Sequence, residues 1–187
     1  MEFAEALTFM QTYSETHPSN VFSHCPRCGQ AGLKFDHTKK FSCSACNLKL
    51  YMNAATAVAA ILQAPDGRIV LTKRKFEPRA GSHDLPGGFV ETMESAEDAV
   101  KREVLEELGI SVTNIEFLAS FPNEYVFEGI SYFTCDLAFV CEVSDLSNLR
   151  PSDDVADVLV TDPKAINFDL ISFPSIKSIL KYYLQRT

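Results

Sequence analysis

Apolar residues recur at helical spacing near both ends of the chain and once in its middle, with strand-like runs between. Over residues 2–16, Phe3, Ala6, Leu7, Met10 and Tyr13 predict a short helix, broken by His17-Pro18-Ser19-Asn20. The run 54–63, a turn at Ala64-Pro65-Asp66-Gly67 and the run 68–75 predict a β-hairpin. The alanines of the first run suit a helix packed closely on a sheet. In the middle of the chain, Val100, Val104 and Leu108 form an apolar stripe. That helix should begin after Ser95, a good N-cap with Asp98 in a capping-box-like place, and end at Gly109. Residues 114–121, 130–143 and 155–160 predict strands, with an aromatic and acidic loop over 122–129. Ile176, Ile179, Leu180, Tyr183 and Leu184 predict a closing helix over 173–186.

A length of 187 residues leaves room for one ordinary domain and a small appendage. The formal charge of −8 disfavours non-specific binding to nucleic acid or to an anionic membrane. A small anionic substrate stays open, because bound cations can reverse a local field. No apolar run approaches membrane-spanning length. The stretch MEFAEALTFM has acids and no basic n-region, unlike a secretory signal. Six cysteines then point to a reducing cytoplasm, where metal binding is favoured over disulfides.

Four of those cysteines form two CxxC pairs, Cys25/Cys28 and Cys43/Cys46, separated by residues 29–42. Each pair turns two thiolates toward one point, and four thiolates complete a tetrahedral Zn²⁺ shell. The pattern predicts a zinc ribbon over residues 21–52, closed and therefore structural, whose folding energy comes from the metal. Gly29 and Asn47 follow the second cysteine of each pair, where the backbone needs a permissive residue. His24 and His37 read as surface residues, and Lys34, Lys39, Lys40 and Lys49 as a solvated surface. The N-terminal helix, residues 1–20, would pack on the domain or on a second subunit of a homodimer.

On the central helix Glu103, Glu106 and Glu107 stand at i, i+3 and i+4 and share a face. Three like charges there repel, and hard divalent cations such as Mg²⁺ or Mn²⁺ relieve the repulsion. The spacing of Gly88, Glu94, Arg102-Glu103-Val104, Glu106-Glu107 and Gly109-Ile110 matches GX5EX7REUXEEXGU, with U apolar, at every fixed position. It is preceded by the string LPGGFVE. The chain therefore resembles the Nudix hydrolases, which cleave nucleoside diphosphates linked to another group.

The resemblance covers roughly residues 54–187 and implies an α/β class fold, an α/β/α sandwich around a mixed sheet, for a domain over residues 53–187. It implies that Glu103, Glu106 and Glu107 bind the catalytic Mg²⁺ or Mn²⁺, joined by a glycine carbonyl such as that of Gly88. Arg102 and Glu94 would hold the motif together. A further carboxylate is expected from Asp153 or Asp154. Arg74 or Arg79, from a basic patch with Lys73 and Lys75, would meet substrate phosphates. Tyr125 or Phe127 would stack on a base, and Glu124 or Glu128 could add a carboxylate. The proton of the attacking water would go to Glu103 or to the carboxylate from outside the motif. A ribbon before such a domain resembles the NADH diphosphatase layout. The string SQPWPFPxS of that subgroup is replaced here by residues 119–125, Ala-Ser-Phe-Pro-Asn-Glu-Tyr, and the chain has no Trp. An ADP-ribose-like or nucleotide-sugar-like substrate is therefore preferred over NADH. The alternative from another class is a nucleotide-sensing regulator that binds nucleic acid through its ribbon, disfavoured by the intact motif and the acidic charge.

Overall fold

Two runs of backbone contacts divide the chain, a computed structural model of which describes residues 13–186, into two compact units. The first holds residues up to Asn53 together with Val126–Ser131, and the second holds Ala54–Tyr125 with Tyr132–Thr187.

In the first unit, the predicted helix over 2–16 lies outside the described residues except for 13–16, which form no helix. The predicted breaker is itself helical: α1 spans Pro18–Val21. Proline is tolerated in a first turn because the N–H it lacks has no intrahelical partner there. The His17 ring accepts from the Ser19 N–H and caps the turn. Three short antiparallel strands follow in the order β1 (Lys34–Phe35), β2 (Lys40–Ser42) and β3 (Lys49–Tyr51). Phe41 on β2 is buried against Phe35 and Phe22, at ring separations of 4.9 and 6.1 Å. The Asp36 carboxylate ties the β1–β2 turn by accepting from the N–H groups of Lys39, Thr38 and Lys40 and from the Thr38 hydroxyl. Those donors hold its carboxyl well below the usual carboxylate range.

The second unit contains β4 (Ala55–Gln63), β5 (Ile69–Arg74), β6 (His83–Asp84), α2 (Ala96–Leu108), the bulk of β7 (Thr113–Phe127) and β8 (Ile130–Glu142), β9 (Val155–Thr161) and α3 (Pro174–Leu184). The sheet order is β6-β5-β4-β8-β7, and β9 also pairs with β5. β4 runs parallel to β8, from Ala55 opposite Thr134 to Gln63 opposite Glu142, while β5 is antiparallel to β4, β6 and β9. The sheet is therefore mixed.

The predicted hairpin of β4 and β5 exists only at its base, where Gln63 faces Ile69. Beyond that pair β5 follows β9, and the edge of β4 is taken by the loop after β6. Val58 N–H donates to Gly88 O at 2.8 Å, Ala60 N–H to Pro86 O at 2.8 Å, and Val90 N–H to Thr56 O at 3.0 Å. Buried backbone groups need partners, and this loop supplies them.

Successive residues of β4 face opposite sides. Val58, Ala60 and Leu62 pack with Val100, Val104 and Leu108 of α2, whereas Ala59 and Ile61 pack with Ile176, Ile179 and Leu180 of α3. The layers are helix, sheet, helix, as the resemblance implied. Ala59 and Ala60 are the small residues that let each helix approach. Ser95 caps α2 by accepting from the Asp98 N–H, and Gly109 ends it at φ 69°.

One expectation is corrected. Residues 122–127 are not a loop but the end of the long strand β7, and only Glu128 and Gly129 turn, with φ of 46° and 77°. Two positive φ values make the tight turn whose twist suits a hairpin. Pro122 is tolerated within the strand because β7 lies at the sheet edge, where a missing N–H costs no ladder bond. Among the described residues no helix is long and apolar enough to cross a membrane.

Leu108 is fully buried between α2 and the sheet. Leu108→Ala is expected to lower unfolding free energy by about 2–5 kcal/mol, read as a lower urea midpoint at unchanged slope.

Candidate active site and metal centre

Two adjacent glycines bring the loop after β6 against the sheet and the helix. At Gly87, φ is 148°, and a Cβ there would overlap the Val58 carbonyl oxygen. A Cβ on Gly88 would come within 2.5 Å of Glu103 Oε1. No other residue type fits both places without moving backbone or carboxylate. The Gly88 carbonyl accepts from Val58 N–H and keeps one lone pair for another partner.

The acidic face of α2 is held by one cation. Arg102 donates from Nε and Nη2 to the two oxygens of Glu94 at 2.8 and 2.9 Å, a bidentate pairing. Its Nη1 reaches Glu103 at 2.8 Å and Glu106 at 3.2 Å, and its Nη2 also donates to the Phe89 carbonyl at 3.1 Å. Arg102 thus ties the helix to the loop that precedes it. These bonds hold Arg102 firmly protonated and keep the Glu94 carboxyl below its ordinary range.

Glu107 is placed differently. It is 4 % exposed, and its Oε2 accepts from the Gly87 N–H at 3.1 Å. Burial pushes its carboxyl up to about 10, the Asp154 and Glu103 charges push the same way, and the Gly87 N–H opposes them. Burial also raises Glu103, against the pull of Arg102. Carboxyls crowded in this way suit a hard divalent cation, which satisfies their oxygens and cancels their repulsion. Of the two predicted alternatives outside the motif, Asp154 is the one that meets Glu107. Asp153 takes φ 53°, is exposed and turns the chain, so that Asp154 points inward at the start of β9.

Glu107 and Asp154 both line a cavity. Its wall also takes in Gly87, Gly88, Arg74 and Tyr125, but not Glu103, Glu106, Arg102, Glu94 or Arg79. Arg74 donates to Asp84 Oδ2 at 3.2 Å and to the Pro78 carbonyl at 2.9 Å, and lies 5.2 Å from the Phe173 ring centre. Arg79 is exposed in the loop beyond, at φ 69°. Tyr125 meets Phe89 edge-on at 5.9 Å and Phe173 at 5.6 Å, so these three rings form an aromatic wall. Phe127, Glu124 and Glu128 do not line the cavity.

Sequence reasoning missed several lining residues: Asp84, Asn123, Thr134, Asp136 and Phe173. Asp84 is buried and its carboxyl is raised by that burial, with Arg74 opposing. One signal was available in β8. Thr134 and Asp136 alternate with Ala138 on a face that is apolar further along, and a carboxylate on an inner face needs a reason.

In the first unit, the sulfurs of Cys25, Cys28, Cys43 and Cys46 all lie within 4.8 Å of one another. The pairs Cys25/Cys46 and Cys28/Cys43 are 3.6 and 3.7 Å apart. A zinc ion bonded to four sulfurs at about 2.3 Å sets a tetrahedral edge of about 3.8 Å. The separations match that edge and are far too long for disulfides. Burial opposes ionisation of Cys25, but N–H groups of Cys28 and Arg27 and the neighbouring thiols bring it down to about 6. Gly29 and Asn47 have φ of 71° and 57°, as the knuckle turns require. His24 and His37 are exposed and outside the cluster.

The family model described as NUDIX domain matches residues 53–180. The chain is 32% identical over 96 residues to a NAD-capped RNA hydrolase NudC of Pseudomonas aeruginosa, an overlap of 51% of this chain and 34% of that protein. It is 48% identical over 62 residues to an ADP-ribose pyrophosphatase of Methanocaldococcus jannaschii, covering 33% of this chain and 36% of the relative. It spans only about a third of the length of each. Among solved structures, a NUDIX hydrolase from Nitrosomonas europaea superposes with a TM-score of 0.70 at 26% identity, over 88% of this chain and 92% of the other.

Cys43→Ser is expected to reduce bound zinc from about one ion per chain to below a tenth, measured by elemental analysis after purification without added metal.

Proposed function

Because the chain belongs to the Nudix family, we propose that it hydrolyses the phosphoric anhydride of a nucleoside diphosphate linked to a second group, with an ADP-ribose-like or nucleotide-sugar-like substrate. The observation that carries this reading is the buried Glu107 meeting the half-buried Asp154 on the wall of a cavity that also takes in Gly87, Gly88 and an aromatic wall. Glu103, Glu106, Glu107, Asp154 and the free lone pair of the Gly88 carbonyl are the oxygen donors for Mg²⁺ or Mn²⁺. When bound, these ions neutralise the anhydride and acidify a water molecule.

The chain's own groups then divide the work. Asp154 takes the proton of the attacking water, because it lines the cavity whereas Glu103 is engaged by Arg102. The new bond joins that water's oxygen to one phosphorus, and the anhydride oxygen leaves with the other phosphate. Arg74, steadied by Asp84 and the Pro78 carbonyl, offers its remaining N–H groups to the charge on the departing phosphate. Arg102 and Glu94 position the helix carboxylates and do not touch substrate. Zinc in the four-cysteine cluster has no open position and serves the fold.

The similarity to an ADP-ribose pyrophosphatase supports the preferred substrate class. The similarity to NudC proteins keeps NADH and NAD-linked compounds as the second reading. With Mg²⁺ present, a panel of ADP-ribose, NADH, nucleotide sugars, dinucleoside polyphosphates and nucleoside triphosphates should yield a nucleoside monophosphate and a phosphorylated product from the first class. If nothing in the panel turns over and the protein retards DNA in a salt-dependent way, the regulator reading replaces this one. Glu107→Gln is expected to lower kcat at least ~100-fold with unchanged circular dichroism. Asp154→Asn should lower kcat by more than it raises KM.

A further inference from the structure

Asp136 has no role in the hydrolysis just described, yet it is a carboxylate 6 % exposed on the wall of the same cavity. Its Oδ1 accepts from the Thr134 hydroxyl at 2.6 Å. Its Oδ2 has no hydrogen-bond partner among the described residues and opens onto the cavity that Asp136 lines. A carboxylate oxygen that reaches a cavity is open to a donor that arrives from outside.

Register fixes where that partner sits. Asp136 pairs with Ala57 across the parallel β4–β8 ladder, and Ala57 pairs on its other side with Phe89. Asp136 is thus about two strand spacings, ~10 Å, from the loop that carries Gly88. The same wall carries flat apolar surfaces, Ala57, Ala59, Ile176, Phe173 and Tyr125, beside the polar Thr72, Asn123 and Asp84. The flat surfaces suit the face of a heterocycle. Arg74 is bound to Asp84 and leaves Asp136 without a cation.

We infer that Asp136, oriented by Thr134, is a specificity-determining residue that accepts a hydrogen bond from the exocyclic amino group of the substrate's nucleobase. The cavity therefore selects bases bearing an amino group, such as adenine, over bases that carry a carbonyl in its place, such as hypoxanthine. The preference follows from the carboxylate's chemistry: it can only accept, and a carbonyl oxygen set against it would leave both atoms without a proton. This rests on the proposed hydrolysis of a nucleoside-diphosphate-linked compound at the same site.

The test compares ADP-ribose with its hypoxanthine counterpart by kcat/KM, and AMP with IMP by titration calorimetry, which needs no turnover. The intact protein should favour adenine by about tenfold or more in both measurements. Asp136→Asn, of the same shape and able to donate as well as accept, should bring both ratios to within about twofold or reverse them, chiefly through KM and with the melting temperature retained. Equal handling of the two bases by the intact protein overturns the inference, as does an unchanged ratio in the variant. Lost discrimination between ribose and 2′-deoxyribose, with the base ratio intact, also overturns it by assigning Asp136 to a sugar hydroxyl. If neither compound turns over but AMP is still preferred to IMP, the proposed hydrolysis fails and this inference stands.

Discussion

The reactive end of the molecule depends on how closely one loop approaches one strand. Past its first pair, β4 loses β5 as a neighbour, and its Val58 and Ala60 N–H groups would be left bare inside the protein. The carbonyls of Gly88 and Pro86 take them, and the approach is possible only because Gly87 carries no Cβ, while the bare Gly88 leaves room for the Glu103 carboxylate. The same backbone then turns the Gly87 N–H onto Glu107. A single set of contacts thus completes the sheet, opens the cavity and positions its deepest carboxylate.

Charge is distributed around that loop in two tiers. The outer tier, Glu94, Glu103 and Glu106, shares one guanidinium, and the bidentate pair between Arg102 and Glu94 ties α2 to the turn before it. The inner tier, Glu107 and Asp154, has no basic side chain in its hydrogen bonds and only one backbone donor on Glu107. Burial, and the charges of Asp154 and Glu103, work against ionisation of Glu107. A divalent cation would offset both effects, and in the proposed reaction Glu103 and Glu106, held by Arg102, join the inner tier as its oxygen donors. Asp136, on the same cavity wall, is inferred to meet a neutral donor instead.

The cysteine cluster and the proposed carboxylate site differ as their ligands do. Soft thiolates in the first unit suit a closed tetrahedral zinc shell, and the 3.6 and 3.7 Å sulfur separations match its edge. Hard carboxylates in the second suit cations that exchange water and substrate oxygen. A strand meander as small as β1–β3 buries little beyond Phe41, so its order depends on the cysteine cluster.

What could be read from the amino-acid order was whatever is local. The two CxxC turns, the cap at Ser95, the stop at Gly109 and the shared face of Glu103, Glu106 and Glu107 each span a few residues, so backbone geometry alone joins their parts. The helices and most strands followed from periodicity, whereas the end of β7 did not, because Pro122 reads as a break until its strand is known to lie at an edge. Everything that required distant segments to meet was decided by the tertiary structure. Local spacing left Asp153 and Asp154 equivalent, and only the turn into β9 beside α2 separated them. Arg74 was distinguished from Arg79 by the salt bridge to Asp84, and Asp136 became visible only when β8 paired with β4 and faced the cavity. Sequence spacing reports which side chains share a turn or a face; it carries no information on which faces are brought together, because that is set by how the whole apolar surface is buried.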